Sequence, residues 1–245
     1  NVNELEEGII NRSTVEDYKA QYQPNGNHIS FVSFRSGHPQ LWLSNDKETK
    51  QLSRFGKQTT IDSYVWSLSG KSLYIANQGG LHSLSLEGQL STISTVYPVV
   101  DIYQAINDRK VLISIIEDKQ PVVGLFNLAT GQFEALHKAS VSWAQLADNQ
   151  TLYIVDENGK LLFKDKGQVL ELPGTDTIQV NNQIVIEGEQ LFLFNENNEL
   201  VTYDLNNHRL IKQEFPAFKT ELRIVSDVDA NKILYSTVTK SRKDL

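Results

Sequence analysis

The chain has 245 residues, is 40% hydrophobic and 22% charged, and sets 23 basic against 30 acidic side chains for a net charge of −7. No apolar run approaches the roughly 18 residues a membrane span needs, and an acidic balance without Lys/Arg blocks lacks the clustered cations that release counterions from a phosphate backbone. With no cysteine at all, disulfides, thiolate metal sites and cysteine nucleophiles are excluded, while a core of this size needs no staples.

Methionine is also absent. The chain is therefore read as a piece of a longer protein. Its first strand-like run is "EGIINRS" at residues 7–13. From there one apolar run returns on a beat of roughly 40 residues, anchored by Ile29, Leu73, Leu112, Leu152, Leu191 and Leu234, which is the period of four-stranded propeller blades. Three positions before each anchor stand Gly26, Gly70, Arg109, Asn149, Gly188 and Asn231; five of these six are Gly or Asn, the residues that tolerate the left-handed conformations of tight hairpins. Beyond the anchors a second turn recurs at Gly37, Gly80, Lys119, Gly159, Asn198 and Ser241.

A third strand follows each second turn, in "QLWLSN", "LHSLSL", "VVGLFNL", "KLLFKDK" and "ELVTYDL", and a fourth in "KQLSRF", "QLSTIS", "QFEALH", "QVLELP" and "RLIKQEF". No long helical period interrupts them. The prediction is an all-β chain, one domain over residues 1–245: a six-bladed β-propeller of four-stranded antiparallel blades. Its sixth blade would be completed, and its ring closed, by the N-terminal strand, removing exposed sheet edges.

The run "YQPNGNHISFVSFRSGHPQLWLSND…KQLSRF" resembles the TolB-type propeller repeat: a polar hairpin, a strand, an S-x-R-S-G turn, a strand with an aromatic, and a closing strand. "VWSLSGKSLYIANQGGLHSLSL" is similar to a second copy. The resemblance covers residues 16–90 at the level of motifs and the rest of the chain only in period. Such repeats, as the family implies, occur in periplasmic TolB, in propellers of prolyl-oligopeptidase-like peptidases, and in the periplasmic halves of membrane-anchored ToxR/CadC-type winged-helix regulators. The first copy, with "FVSFRSGHPQLWL", looks most like the last group. That resemblance implies a non-catalytic periplasmic sensing or protein-interaction domain of an inner-membrane transcriptional regulator. The membrane would be met only through an anchor preceding this segment. The partner would be a periplasmic protein, peptide or small molecule, and this segment itself would not touch nucleic acid. The alternatives are a soluble TolB-like scaffold and the substrate-gating propeller of a peptidase.

No G-x-S-x-G elbow, H-E-x-x-H, P-loop or G-x-G-x-x-G occurs. His28, His38, His82, His137 and His208 fall at different blade positions, without ligand spacing. The run Asp227-Val228-Asp229-Ala230-Asn231 opens like a calcium loop, but Lys232 replaces the required glycine and Val238 the bidentate glutamate, so it reads as a hairpin turn. No catalytic residue, cofactor or metal is assigned. The candidate ligand residues lie on the innermost strands, where Tyr18, Asp62 and Asp101 share the position eight residues before the first turn and face the channel mouth. For the two aspartates, plain solvation is the competing reading. Tyr64, Trp66, Tyr103 and Trp143 are assigned to the wedges between blades, where large rings fill space. The isolated chain is expected to turn over neither peptide nor ester substrates; robust hydrolysis abolished by one substitution in this chain would refute the binding-domain reading.

Overall fold

In the computed structural model the described residues are 13, 15–148, 150–165, 167–172, 175, 184–194, 200–213, 223–229 and 232–237. They form strands joined by turns, with no helix among them. Five sets of four strands run in chain order: β1 (Asp17–Tyr22), β2 (Ile29–Ser33), β3 (Gln40–Ser44) and β4 (Thr49–Gln51); β5 (Ser63–Trp66), β6 (Ser72–Asn77), β7 (Gly80–Ser85) and β8 (Leu90–Ile93); β9 (Val99–Asn107), β10 (Lys110–Glu117), β11 (Gln120–Asn127) and β12 (Phe133–His137); β13 (Val141–Leu146), β14 (Leu152–Asp156), β15 (Leu161–Asp165) and β16 (Gln168–Glu171); β17 (Val185–Glu187), β18 (Gln190–Phe194), β19 (Leu200–Asp204) and β20 (Arg209–Gln213). Each set is one sheet of consecutive antiparallel strands, and β21 (Arg223–Asp229) pairs with β22 (Lys232–Thr237) as a two-stranded sheet.

The class is the one predicted, all-β with four-stranded antiparallel blades, and every anchor lies on the second strand of its set. The blade count is corrected: the described residues make five four-stranded blades, not six. A hairpin is legible from one apolar run and two turns, but a blade needs two more strands hydrogen-bonded outside it. Around Leu234 only the hairpin is described. The N-terminal strand expected to complete a sixth blade, residues 7–13, lies outside the described residues but for Ser13, and so do the expected turn positions Asn149, Asn198, Asn231 and Ser241.

The turn chemistry shifts by one residue in places. In the first hairpin Asn25 rather than Gly26 takes positive φ (55°), in the fourth Gln150 does (65°), and between β6 and β7 the left-handed pair is Gln78 and Gly79 (47° and 82°) rather than Gly80. A two-residue turn with both central residues left-handed matches the right-handed twist of the strands it joins.

The chain packs as two compact units, Asn1–Lys138 with Asp229–Lys232, and Ala139–Val228 with Ile233–Leu245. Within the first unit the period-two alternation of each strand divides its side chains between two neighbours. On β6, Leu73 and Ile75 pack toward blade one with Val32, Leu41, Leu43, Tyr64 and Trp66. Tyr74 and Ala76, which alternate with them, pack toward blade three with Ile102, Val111, Ile113, Val122 and Phe126. The second unit repeats the scheme, with Tyr153, Val155 and Leu161 of blade four against Ile186, Leu191, Leu193, Val201 and Tyr203 of blade five. A buried aliphatic or aromatic side chain contributes about 1.5–3 kcal/mol, so these wedges hold neighbouring blades together.

Gly124 on β11 shows how tightly an outer strand seats. A Cβ there would collide with the Glu134 backbone carbonyl and stand 2.6 Å from the Phe133 ring. Backbone cannot yield as a flexible side chain can. Gly124→Ala is expected to destabilise the chain by about 1–3 kcal/mol, read as a lowered Tm; an unchanged Tm would show that β12 is free to move.

Candidate functional site

The three innermost strands of the first unit carry Tyr18, Asp62 and Asp101 close to their first residues, and the structure treats them unequally. On β1 the pairing with β2 slips between Tyr18 and Gln21, so Lys19 and Ala20 together oppose one residue. Lys19 sits in this bulge with φ 53°, a left-handed conformation uncommon for a residue with a side chain. The bulge re-aims Lys19: its Nζ donates to the main-chain carbonyl of Asp62, and its own carbonyl accepts the Tyr64 hydroxyl. Tyr64 is 2% exposed, and its oxygen also meets the Ser30 hydroxyl at 3.1 Å.

Asp62, just before β5, has its carboxylate engaged locally. Thr60 Oγ1 donates to Oδ1 at 2.9 Å and the Gln78 N–H donates to Oδ2 at 2.8 Å, which fastens the entering loop to the left-handed β6–β7 turn. Asp101 on β9 is different. Its carboxylate takes a hydrogen bond from Ser63, whose oxygen in turn accepts the Ile102 N–H at 2.8 Å. Lys19 and Asp62 act on it through space. Among the described residues the direct ion pairs are Arg35–Asp17 and Lys160–Glu171, so Lys19 and Asp101 sense each other without closing a salt bridge.

Burial pushes the Asp101 carboxyl above the usual carboxylate range, with Asp62 adding to the rise and Ser63 and Lys19 opposing it. Burial likewise lowers the Lys19 ammonium, against the pull of Asp101 and Asp62. Tyr103 is pushed well above the ordinary phenol range by burial and by Asp101, and its hydroxyl donates to Ser114 at 3.2 Å. Ser114 stands opposite Asp101 in the β9–β10 register.

Of the three sequence candidates, Asp62 and Asp101 come within electrostatic reach of each other, while Tyr18 stands apart. The Tyr18 ring stacks on Phe34 with centroids 6.3 Å apart and packs against the core shared by blades one and two. Tyr64, Trp66 and Trp143 fill inter-blade wedges as read, Trp66 being 4% exposed, whereas Tyr103 joins the polar group around Asp101. Sequence reasoning missed Lys19 and Ser63. Lys19 carries one signal, the single cation in the strand Asp17–Tyr22; Ser63 carries none. The S-x-R-S-G arginine, Arg35, clamps β1 by bonding Asp17 at 2.8 Å while its guanidinium lies over Phe31 and Trp42, 5.4 and 5.6 Å from the ring centroids. Its role is structural.

No family model matches the chain, and no curated protein matches it. Solved structures do. TolB from Acinetobacter baumannii superposes with a TM-score of 0.66 at 14% identity, over 83% of this chain and 55% of that one. An oligogalacturonate lyase in complex with manganese matches with a TM-score of 0.60 at 11% identity, over 83% and 66% of the two chains. The WD40 β-propeller domain of Doa1 matches at 0.52 and 12%, over 82% and 69%. The chain thus spans little more than half the length of the TolB chain it resembles.

The raised carboxyl of Asp101 has a sign that can be checked. A carboxyl whose folded pKa lies above its unfolded value contributes stability below the unfolded value, and loses it as the pH rises through the folded one. At neutral pH the ionised Asp101 therefore weakens the fold. Asp101→Asn, which still accepts from Ser63, is expected to raise Tm at pH 7, with the gain fading as the pH falls toward about 4, the ordinary carboxylate value. A lower Tm at pH 7 would contradict the assignment. These similarities at 10–15% identity establish one thing about the chain: its fold is a β-propeller of the TolB-like kind.

Proposed function

We propose that this chain is a binding module that performs no chemistry of its own, and that the face where the innermost strands begin is its ligand face. The observation that carries the reading is the Lys19–Asp101 pair: two opposite charges held half-buried on the inner strands of blades one and three, each with hydrogen-bonding capacity left over and no direct bond between them. A group that served stability alone would do better neutral or closed into a pair, because burying an incompletely paired charge is costly. A rigid blade scaffold presents fixed groups without any need for reactive ones.

The setting we propose is a periplasmic sensing domain of a membrane-anchored winged-helix transcriptional regulator. It is supported by the first-repeat residues Phe31–Leu43, which resemble that group most. A soluble TolB-like periplasmic scaffold is the second reading, favoured by the 0.66 superposition on TolB. The two differ in what removal does. In the regulator, deleting residues 15–245 from the parent protein is expected to abolish signal-dependent transcription while DNA binding persists, measured with a reporter and a mobility shift. An unaltered signal response overturns the sensory role.

A further inference from the structure

The charges around Asp101 do not balance. Two carboxylates, Asp62 and Asp101, face one ammonium, Lys19, so the group sums to −1. Asp62 is the satisfied member, with a donor on each oxygen. Lys19 spends a donor on a neutral carbonyl rather than on either carboxylate. Asp101 holds the surplus: an ionised carboxylate offers about four acceptor sites, and here it takes Ser63.

The backbone leaves this carboxylate reachable. Asp101 is partly exposed, and the β9–β10 register slips beside it, so that Val100 has no partner opposite and is 39% exposed. The loop entering β9 carries Val96, 85% exposed. Val100 thus adjoins Asp101 on β9, and Val96 lies in the loop that leads into it. A neutral donor would add a hydrogen bond and leave the excess charge in place. A metal ion would need several hard ligands, and no group of three metal-ligating side chains exists among the described residues. A monovalent organic cation on an aliphatic stem meets both features: its head neutralises Asp101 and its stem covers Val100 and Val96.

We propose that Asp101 anchors a basic side chain, ammonium or guanidinium, from an extended segment of a protein partner, with Val100 and Val96 as the apolar contact for its stem. This rests on the binding-module reading and specifies the ligand of that same face. Lys19 acts in it as a positioning residue: it holds the loop of Asp62 and repels a second cation, which sets how deeply the incoming head can sit.

The test uses the 245-residue chain and capped tripeptides at low ionic strength, with binding followed through the amide resonances of Asp101 and Ile102. The probes are acetyl-Val-Arg-Val-amide, its lysine counterpart, its uncharged citrulline counterpart, and methylguanidinium alone. The arginine or lysine peptide is expected to bind about tenfold tighter than the citrulline peptide, as one charge-assisted pair provides. Asp101→Asn, shown folded by its melting curve, is expected to erase that preference. Lys19→Met is expected to tighten cation binding by removing the competing ammonium. Equal binding of the arginine and citrulline peptides, or a preference that survives Asp101→Asn, overturns the proposal. So does weaker binding by Lys19→Met, which would remove the competition on which the charge argument rests, and so does methylguanidinium binding as tightly as the peptide, which would make the ligand a free cation. Failure here leaves the sensory role standing, since that role is tested by deletion in the parent protein.

Discussion

Every blade exposes one edge of its innermost strand, and the fold depends on how those edges are closed. A bare edge leaves N–H and C=O groups without partners and invites pairing with other chains. In the first unit the closure is made by side chains of the adjacent inner strand. Lys19 donates to the carbonyl of Asp62, Gln21 Nε2 donates to the carbonyl of Tyr64 at 2.8 Å, the Tyr64 hydroxyl returns a bond to the carbonyl of Lys19, and Ser63 Oγ accepts the Ile102 N–H. The second unit does it with one amide: Gln145 Nε2 donates to the Ile186 carbonyl at 2.6 Å, and the Ile186 N–H donates to Gln145 Oε1 at 2.9 Å. A primary amide reproduces both halves of a strand ladder, so it stands in for a backbone neighbour. The partners are 39 to 45 residues apart, one repeat. The period of the sequence is thus also the period of its inner hydrogen bonding.

This closure explains why the candidate site has the composition it has. A stitch made by an uncharged amide, as at Gln145, finishes itself. A stitch made by a lysine brings a charge to the inner edges, and the charge must be answered. Asp62 and Asp101 answer it from the next two blades, one more than neutrality requires. The excess falls on Asp101 because Asp62 is already used to fasten its loop to Gln78. The bulge that aims Lys19 carries its own cost, since a side chain in the left-handed region is strained by about 1 kcal/mol or more. Buried packing of Tyr18 and Tyr64 on either side holds it there.

The aromatic residues divide along the same line. Tyr64 and Trp66 lie in the wedge between blades one and two, and Trp143 packs against the wedge between blades four and five, where area burial is their contribution. Tyr64 also turns its hydroxyl to the inner edge, joining Ser30 and the Lys19 carbonyl. Tyr103, at the equivalent position of the next repeat, turns toward Ser114 beside Asp101. Equivalent places in the repeat therefore do different work, because the inner edge they face differs from blade to blade.

The sequence alone determined the secondary structure and its beat. Apolar runs at Ile29, Leu73, Leu112, Leu152 and Leu191 alternate with turn residues at fixed offsets, and both signals are local, so they survive in a string of letters. The same beat announced the hairpin at Leu234, but it could not count complete blades, since the outer strands of a blade are defined by pairing and carry weak alternation. In the site, Asp62 and Asp101 were legible as a repeated carboxylate position, and their inequality was not. That inequality comes from Thr60, Gln78, Ser63 and Lys19, brought to them by a turn, a loop and a bulge from different blades. Charge balance at a point is a sum over residues that are distant in the chain, and only the tertiary structure decides which of them are near.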